Sequence, residues 1–484
     1  MINQVVGYAL TSRRFKDSEM PLEEERATLE AKVIELDDLI KAHLDCMADL
    51  TNRSVMVKRQ LNAQVAFAHL PIEVVTIIFR LACSLEYEPL SPLRIGSICH
   101  HWRTIAWSAS ELWSSVTVSL EVSKEATKKQ EDLLSDWLLR ARKQPLSITI
   151  AIREEQDPRW DDPPADNLVL SLLLAHSEQW GSADIDIPTT LLHLLPDWLN
   201  TPILERLTLR CDLEGYSDFP VIVHAPRLHS VALVGLYQVH PVMLPWDQVK
   251  ALHIEGYGIQ DYLDNVKQCS SLVNLVLNEK DSRRRESTTP LTVIKLDSLK
   301  SLHVIAQGEN CFMLDRLSTP HLSDLDVFFS DMNQDSFNSL RTLVFRSGCA
   351  ETITRFSFIS YIFSEEEMVS FFLGLPHLSE LVLCNSKHAP PFSSIFIDAL
   401  HSRSASTNSE NFLMPNLKVV HYTGPIMLNS DGFLAMLDAR YTNASKAAKL
   451  EAVSIHSYDQ VVKKISDLPQ VRMLRAQGLV VDVE

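Results

Sequence analysis

The sequence predicts a mixed α/β chain in which a helical arm and a small three-helix unit precede a long strand–helix solenoid. Three observations carry this. Residues 22–66 contain neither Gly nor Pro. Residues 69–116 hold three separate helix-start signals. From residue 180 onward the phrase apolar-x-x-apolar-x-apolar returns twelve times.

In the arm, Leu29, Val33, Leu36, Ile40, Leu44, Met47 and Leu50 step by three or four, which puts them on one face of a helix. Some 45 helical residues extend ~65 Å, longer than an ordinary globular helix. A short coiled coil over residues 17–66 is the expectation, with two copies pairing through residues 22–66. A long helix folded against the next domain is the alternative. Between Asp17 and Lys41 nine acidic residues face three basic ones, read as a solvated face. Residues 1–16 are expected to be a flexible N-terminus.

The three-helix unit spans residues 67–117. Pro71 suits a first helical position, where its missing N–H costs nothing. Val74, Ile77, Ile78 and Leu81 follow as a broad apolar face. Ser91-Pro92 repeats the cap-plus-Pro signal and predicts one helix with Ile95, Ile98, Cys99, Trp102 and Ile105 on one side. Ser110-Glu-Leu-Trp113 starts a third helix. So few residues make a core that is marginal alone.

The repeating phrase begins clearly at Leu204-Glu-Arg-Leu-Thr-Leu209 and is found again at residues 228, 249, 272, 299, 322, 353, 378, 417 and 450. Trp180-Gly-Ser-Ala-Asp-Ile185 is a weaker early copy and Val471-Arg-Met-Leu-Arg-Ala476 a worn last one. Leu340-Arg-Thr-Leu-Val-Phe345 also fits, but lies thirteen residues before the next copy and is assigned to an intervening helix. The first steps are 24, 24, 21, 23, 27 and 23 residues, within the 20–29 of leucine-rich repeats. Alternating apolar residues make a strand with one buried face. Segments such as Ala165 to Trp180 and Glu365 to Gly374 read as covering helices. One such unit cannot bury its own apolar face, but a stack can. The solenoid is expected over residues 118–484. Its loop insert lies near residues 385–416, rich in Ser, Asn and Pro, with a helix at Ser393 to His401.

Composition excludes several classes. With 62 acidic against 45 basic residues the net charge is −17, a poor match for nucleic acid. Only 13 glycines occur, against enzymes built on glycine-rich phosphate loops. No two of the eight cysteines lie closer than sixteen residues, so zinc-type spacing is missing. No run of eighteen apolar residues and no signal-peptide pattern occurs, and cytosol or nucleus is the expected location. His100-His101 beside Cys99 are adjacent and do not share a helix face. The Asp157–Asp166 loop lacks calcium-loop spacing, and Arg283-Arg-Arg-Glu-Ser287 reads as a solvated loop. No catalytic constellation, metal or cofactor is expected.

Leu70-Pro71-x-Glu73-Val74, Ile77-Ile78-Phe79-x-Leu81, Ile98-Cys99-x-x-Trp102-Arg103-x-Ile105-Ala106 and Leu112-Trp113 together resemble an F-box. Ile98 stands where Val is usual, and His100-His101 where a basic pair is common. A coiled arm ahead of such a box and degenerate leucine-rich repeats behind it are similar to F-box proteins of mushroom-forming fungi. The resemblance implies a non-enzymatic substrate receptor of a Skp–cullin–F-box ubiquitin ligase. Its box would dock on a Skp-family adaptor, which links it to a cullin and a RING-bearing module, and its repeats would hold the protein to be ubiquitinated. By position, Leu70, Pro71, Glu73, Ile77, Ile78 and Phe79 would face the adaptor, with Cys99 and Trp102 near that surface or in the core behind it. Core packing is the competing role for each. Two other functions stay open: a scaffold that dimerises through its arm outside any ligase, and an enzyme assembled across repeats.

In each repeat strand the residues between the apolar anchors point away from the core. The central ones are Thr208, Ala232, His253, Val276, His303, Asp326, Ser357, Val382, His421, Ser454 and Arg475. This mixed surface is the candidate substrate face. The repeats lack a regular Asn or Cys after the strand, so their curvature stays open.

Overall fold

The computed structural model describes residues 23–84, 91–120, 124–152, 167–187, 195–196, 198–210, 222–235, 243–256, 263–280, 292–306, 312–330, 334–360, 365–385, 391, 393–401, 413–427, 430–442, 447–457, 465 and 468–483. The N-terminal residues 1–22, the acidic Asp157–Asp166 loop, the Arg283–Arg285 run and most of the expected insert lie outside them. The chain divides into two compact units, Met1–Leu112 and Trp113–Glu484.

The first unit begins with α1, Glu23–Ala63. The helical arm is therefore present, and its apolar residues are not folded onto a neighbouring element: Leu29, Val33, Leu36, Ile40, Leu44, Met47 and Leu50 are all exposed. A 3-10 turn, Ala66–His69, follows. Helix α2 is Ile72–Cys83, with Pro71 as its N-cap residue and the Pro71 carbonyl accepting from the Val74 and Val75 N–H groups. The expected second helix is two: α3, Pro92–Ile98, and α4, His100–Ser108. Cys99 breaks it by taking an extended backbone, φ −155° and ψ 167°, and its Sγ accepts from the Trp102 N–H. Ser91 caps α3 as the sequence suggests, accepting from the Arg94 N–H at 3.3 Å. The final signal is a 3-10 turn, Ser110–Trp113.

The small core holds Val75 and Phe79 of α2, Ile95 of α3, and Ile105 and Ala106 of α4. Gly96 of α3 packs against Trp107 of α4. A Cβ there would lie 2.0 Å from the Trp107 ring. Overpacking of this kind typically costs ~1–3 kcal/mol. Gly96→Ala should lower the melting temperature of the chain and raise proteolytic cleavage within residues 70–112, which limited proteolysis with mass spectrometry will read.

The second unit is built on one fourteen-stranded sheet in which every neighbouring pair is parallel and strand order follows chain order. Strands such as Ala251–Gly256, Ser301–Ala306, Asp324–Phe329 and Glu380–Asn385 alternate half-exposed with buried residues. The buried row runs through Leu252, Leu275, Leu302, Leu325, Phe356 and Leu381. In eight copies the first apolar residue (Leu204, Leu228, Val249, Leu272, Leu299, Leu322, Leu378, Leu417) is also buried, its N–H bonded back to the carbonyl three residues earlier. In five of them that turn has a local cause. Pro202, Pro226, Pro320, Pro376 and Pro415 all precede their copies by two residues, the position where a fixed φ favours a type I turn. The helices Leu168–Ala175, Gln334–Ser347, Glu365–Phe372 and Ser394–His401 fall where the sequence puts them, and Leu340 to Phe345 is helical as assigned.

One expectation is corrected, at the last copy, and one boundary moves slightly: the sheet begins with Ser115–Leu120, three residues ahead of the expected 118, and continues with Leu146–Ile152. Their alternation is plain in Ser-Val-Thr-Val-Ser-Leu, but they lack the preceding anchor. The last copy, residues 471–476, is a helix, Pro469–Ala476, and the closing strand is Val480–Val483. Pro469 starts that helix, Val471 and Leu474 bury one face of it, and Gly478 at φ +101° ends it. Arg475 therefore lies on a helix, and the residue in the strand register is Asp482.

Candidate docking surfaces

On α2 the period of 3.6 splits an almost wholly apolar sequence into two faces. Val75 and Phe79, four apart, go inward and are 0% and 2% exposed. Phe79 meets the Trp102 ring at 5.0 Å between centroids, and Phe67 closes the cluster at 4.8 Å from Trp102. Phe79 thus belongs to the core and does not face outward. The other side stays uncovered: Ile77 is 46% exposed, Leu81 59%, and Leu70, Ile72, Val74 and Ile78 are exposed too. Pro71 and Glu73 are exposed beside them, Glu73 in the first helical turn, where a carboxylate complements the helix dipole. Cys99 and Trp102 are half-buried, and Ile98 is exposed. The α2 face is therefore a patch of branched aliphatic side chains on one helix, backed by a cluster of three aromatic rings. Arg103 Nε, donating to the Gly96 carbonyl at 2.9 Å, ties α4 to α3.

On the sheet, the central outward residues form one register row, half-exposed except for Ser357, which is buried. Thr208, Ala232, His253, Val276, His303, Asp326, Ser357, Val382, His421, Ser454 and Asp482 are consecutive Cα partners. Neighbouring strands lie ~4.8 Å apart, so the row is a continuous track. Sequence spacing finds all of these except Asp482, and the same row runs on through Asp184, Thr149 and Thr117. That spacing passes over the flanking rows, which carry most of the fixed charges. Arg355 bridges Asp324 at 3.0 Å and Glu380 at 3.1 Å, Arg210 pairs with Asp184, and Lys280 meets Glu255 at 3.0 Å. Arg355, Asp324, Glu380, Arg210 and Glu255 sit two residues from the central row, where the same alternation places them, while Asp184 lies in the row beside Thr208 and Lys280 follows the end of its strand.

Within the row His303 Nδ1 lies 2.9 Å from Asp326 Oδ2. The hydrogen bond to Asp326 holds the His303 imidazole above its ordinary value of 6.5, against the opposing effect of burial. Burial would raise the Asp326 carboxyl, but hydrogen bonds from His303 and Ser357 keep it below the usual range. His253, two strands away, moves the other way, because burial disfavours its charged form more than Glu255 favours it. Between the two values His303 is a cation and His253 is neutral. Titration by NMR should therefore find His303 protonated to higher pH than His253, with Asp326→Asn lowering His303 only. The His303–Asp326 pair stabilises the fold fully below the unfolded imidazole value, and that contribution is lost as pH rises through the raised folded value.

Among the described residues no cluster of three or more His, Cys, Asp or Glu is placed to hold a metal ion, and no helix is long and apolar enough to cross a membrane. No protein-family model matches the chain, and no match to a curated protein was found.

Proposed function

We propose that this chain is a substrate receptor of a Skp–cullin–F-box ubiquitin ligase, and that its function is adaptor binding and not catalysis. The observation that carries the proposal is the uncovered face of α2. A helix that turns only Val75 and Phe79 onto a core and leaves Ile77, Ile78 and Leu81 in water, with Leu70 just ahead of it, presents what a docking module presents before it meets its partner. Pro71 and Glu73 flank that face in the order the F-box pattern gives. The second unit is read as a leucine-rich-repeat-like solenoid. One strand per repeat, strand order following chain order and the recurring proline turn all support that reading. The row from Thr208 to Asp482 is then the track for a protein substrate. Cytosol or nucleus is the proposed setting.

A second reading has its own support: the exposed apolar side of α1 suits a scaffold that joins copies of itself outside any ligase. Affinity purification of the tagged full-length chain from a eukaryotic lysate, followed by mass spectrometry, separates the two. Adaptor together with cullin is the expected result. Adaptor without cullin would favour the scaffold, and neither would overturn both uses of the α2 face.

A further inference from the structure

Helix α1 leaves an apolar seam open along its whole described length. Taken as a seven-residue repeat, Val33, Ile40, Met47, Ser54 and Leu61 occupy one core position, and Leu29, Leu36, His43, Leu50 and Val57 the other. The apolar members of both sets are exposed. Leu39 and Leu44 widen the seam from either side, while Ile34 and Met56 fall off it. Eight of ten core positions are apolar, which is the pattern of a helix that pairs with another helix.

The charges choose the partner and its direction. From Glu23 to Asp45 the helix carries eight acidic residues and three Lys or Arg. From Cys46 to Ala63 it carries only Asp49 against Arg53, Lys58 and Arg59. Two copies laid parallel would set acidic half against acidic half. Two copies laid antiparallel set each acidic half beside a basic one, so the helix complements itself in that direction alone.

The seam also selects a register. When each core residue of one set meets one of the other set in the second copy, Ile40 faces Leu50, Val33 faces Val57 and Leu61 faces Leu29. On the flanks Glu30 then lies beside Lys58, and Leu44 and Cys46 each meet their own counterpart near the two-fold axis. Slipping by one heptad would in one direction set Lys32 against Arg53, two cations, and in the other would leave Leu29 and Val33 without a core partner inside residues 23–63. We propose that two copies of this chain associate through an antiparallel pairing of residues 23–63 in the register that aligns Ile40 with Leu50. The segments after Ala63 then leave from opposite ends of the pair, ~55 Å apart along the helix at 1.5 Å per residue. The dimer carries two α2 faces and two sheet tracks whether or not α2 docks on an adaptor.

The test uses the full chain. Sedimentation equilibrium should give a dimer, and Leu36→Asp with Ile40→Asp should give a monomer with unchanged far-UV circular dichroism, since neither side chain is buried in the single copy. Glu30 already has an exposed intrahelical partner in Arg26 at 3.0 Å. Glu30→Lys nevertheless places like charges together twice per dimer and should weaken association about tenfold, with Lys58→Glu in the same chain restoring it. Direction is read by cross-linking in a background where every native cysteine is replaced. Ile40→Cys and Leu50→Cys together should form an intermolecular disulfide, and Ile40→Cys alone should not. A monomer at the highest soluble concentration would overturn the proposal. So would a disulfide from Ile40→Cys alone, the mark of parallel pairing, or a failure of the double charge reversal to restore the dimer.

Discussion

Replacing Ile77 and Ile78 by Asp should reduce binding to a purified Skp-family adaptor by at least a hundredfold, measured by calorimetry on the full chain, while its thermal unfolding stays within about 1 kcal/mol of the parent. Both side chains are exposed on α2, so the free chain loses little when they change. In a complex each would be buried, and an unpaired carboxylate in such a place is costly. Leu70→Ala with Pro71→Ala should weaken binding in the same direction but less, because truncation removes contact area without burying a charge. Phe79→Ala is the control with the opposite signature. Phe79 packs on Trp102, so its loss should destabilise the unit by ~3–5 kcal/mol and affect binding only through folding. Undiminished affinity in the double Asp variant would remove the α2 face from the proposed function.

The second large effect is expected at Arg440. It lies on the helix Ser430–Thr442 and is 1% exposed. Its Nε donates to the Leu400 carbonyl at 2.8 Å, one terminal nitrogen to Met414 at 2.9 Å, and the other to Leu413. These three carbonyls flank residues 402–412 on both sides, so one guanidinium joins the chain entering that segment to the chain leaving it. Burial pushes its pKa down to about 10, and it remains charged at neutral pH. Arg440→Met keeps volume but strips the guanidinium donors from the Leu400 and Leu413 carbonyls and from Met414, which keeps only the Leu417 N–H. At ~1–3 kcal/mol for each unsatisfied group, a loss of about 3 kcal/mol or more is expected. Arg440→Lys should recover only part of it, since an ammonium lacks the planar fork that reaches three directions. Chemical denaturation will read both. Hydrogen exchange should show the loss concentrated at residues 394–401 and 413–423. Arg346 does a smaller version of the same work, reaching the Leu314 and Leu317 carbonyls.

Why one arginine was legible in the sequence and the other was not follows from where their partners are. Arg355 sits at an outward strand position, and the alternation that locates His303 and Asp326 locates it as well. Arg440 binds main-chain carbonyls 26, 27 and 40 residues away, which no side-chain pattern announces. The periodicity of the strands was legible because one face of each must be buried, so register, row and even the helical identity of Leu340 to Phe345 followed. Residues 471–476 fit the strand phrase yet form a helix because Val471 and Leu474 suit a strand phrase and a helix face equally, and only Pro469 two residues upstream separates them. Cys99 divides a stretch whose apolar spacing runs on unbroken, because the break comes from backbone geometry at a half-buried cap. On α2 nearly every residue is apolar. Composition could not say which would turn inward, and Phe79 went with Val75, its neighbour one turn away.

Because each strand of the large sheet pairs with the strands made just before and just after it, every ladder closes between segments close together in the chain. A ribosome releasing this protein delivers each new strand to a partner already in place. The sheet can therefore lengthen at one edge as synthesis proceeds, with no early strand waiting for a late one. The outer edge of the first strand stays without a partner strand in the sheet, but each later edge offers unpaired backbone only for the time taken to make some twenty to forty residues.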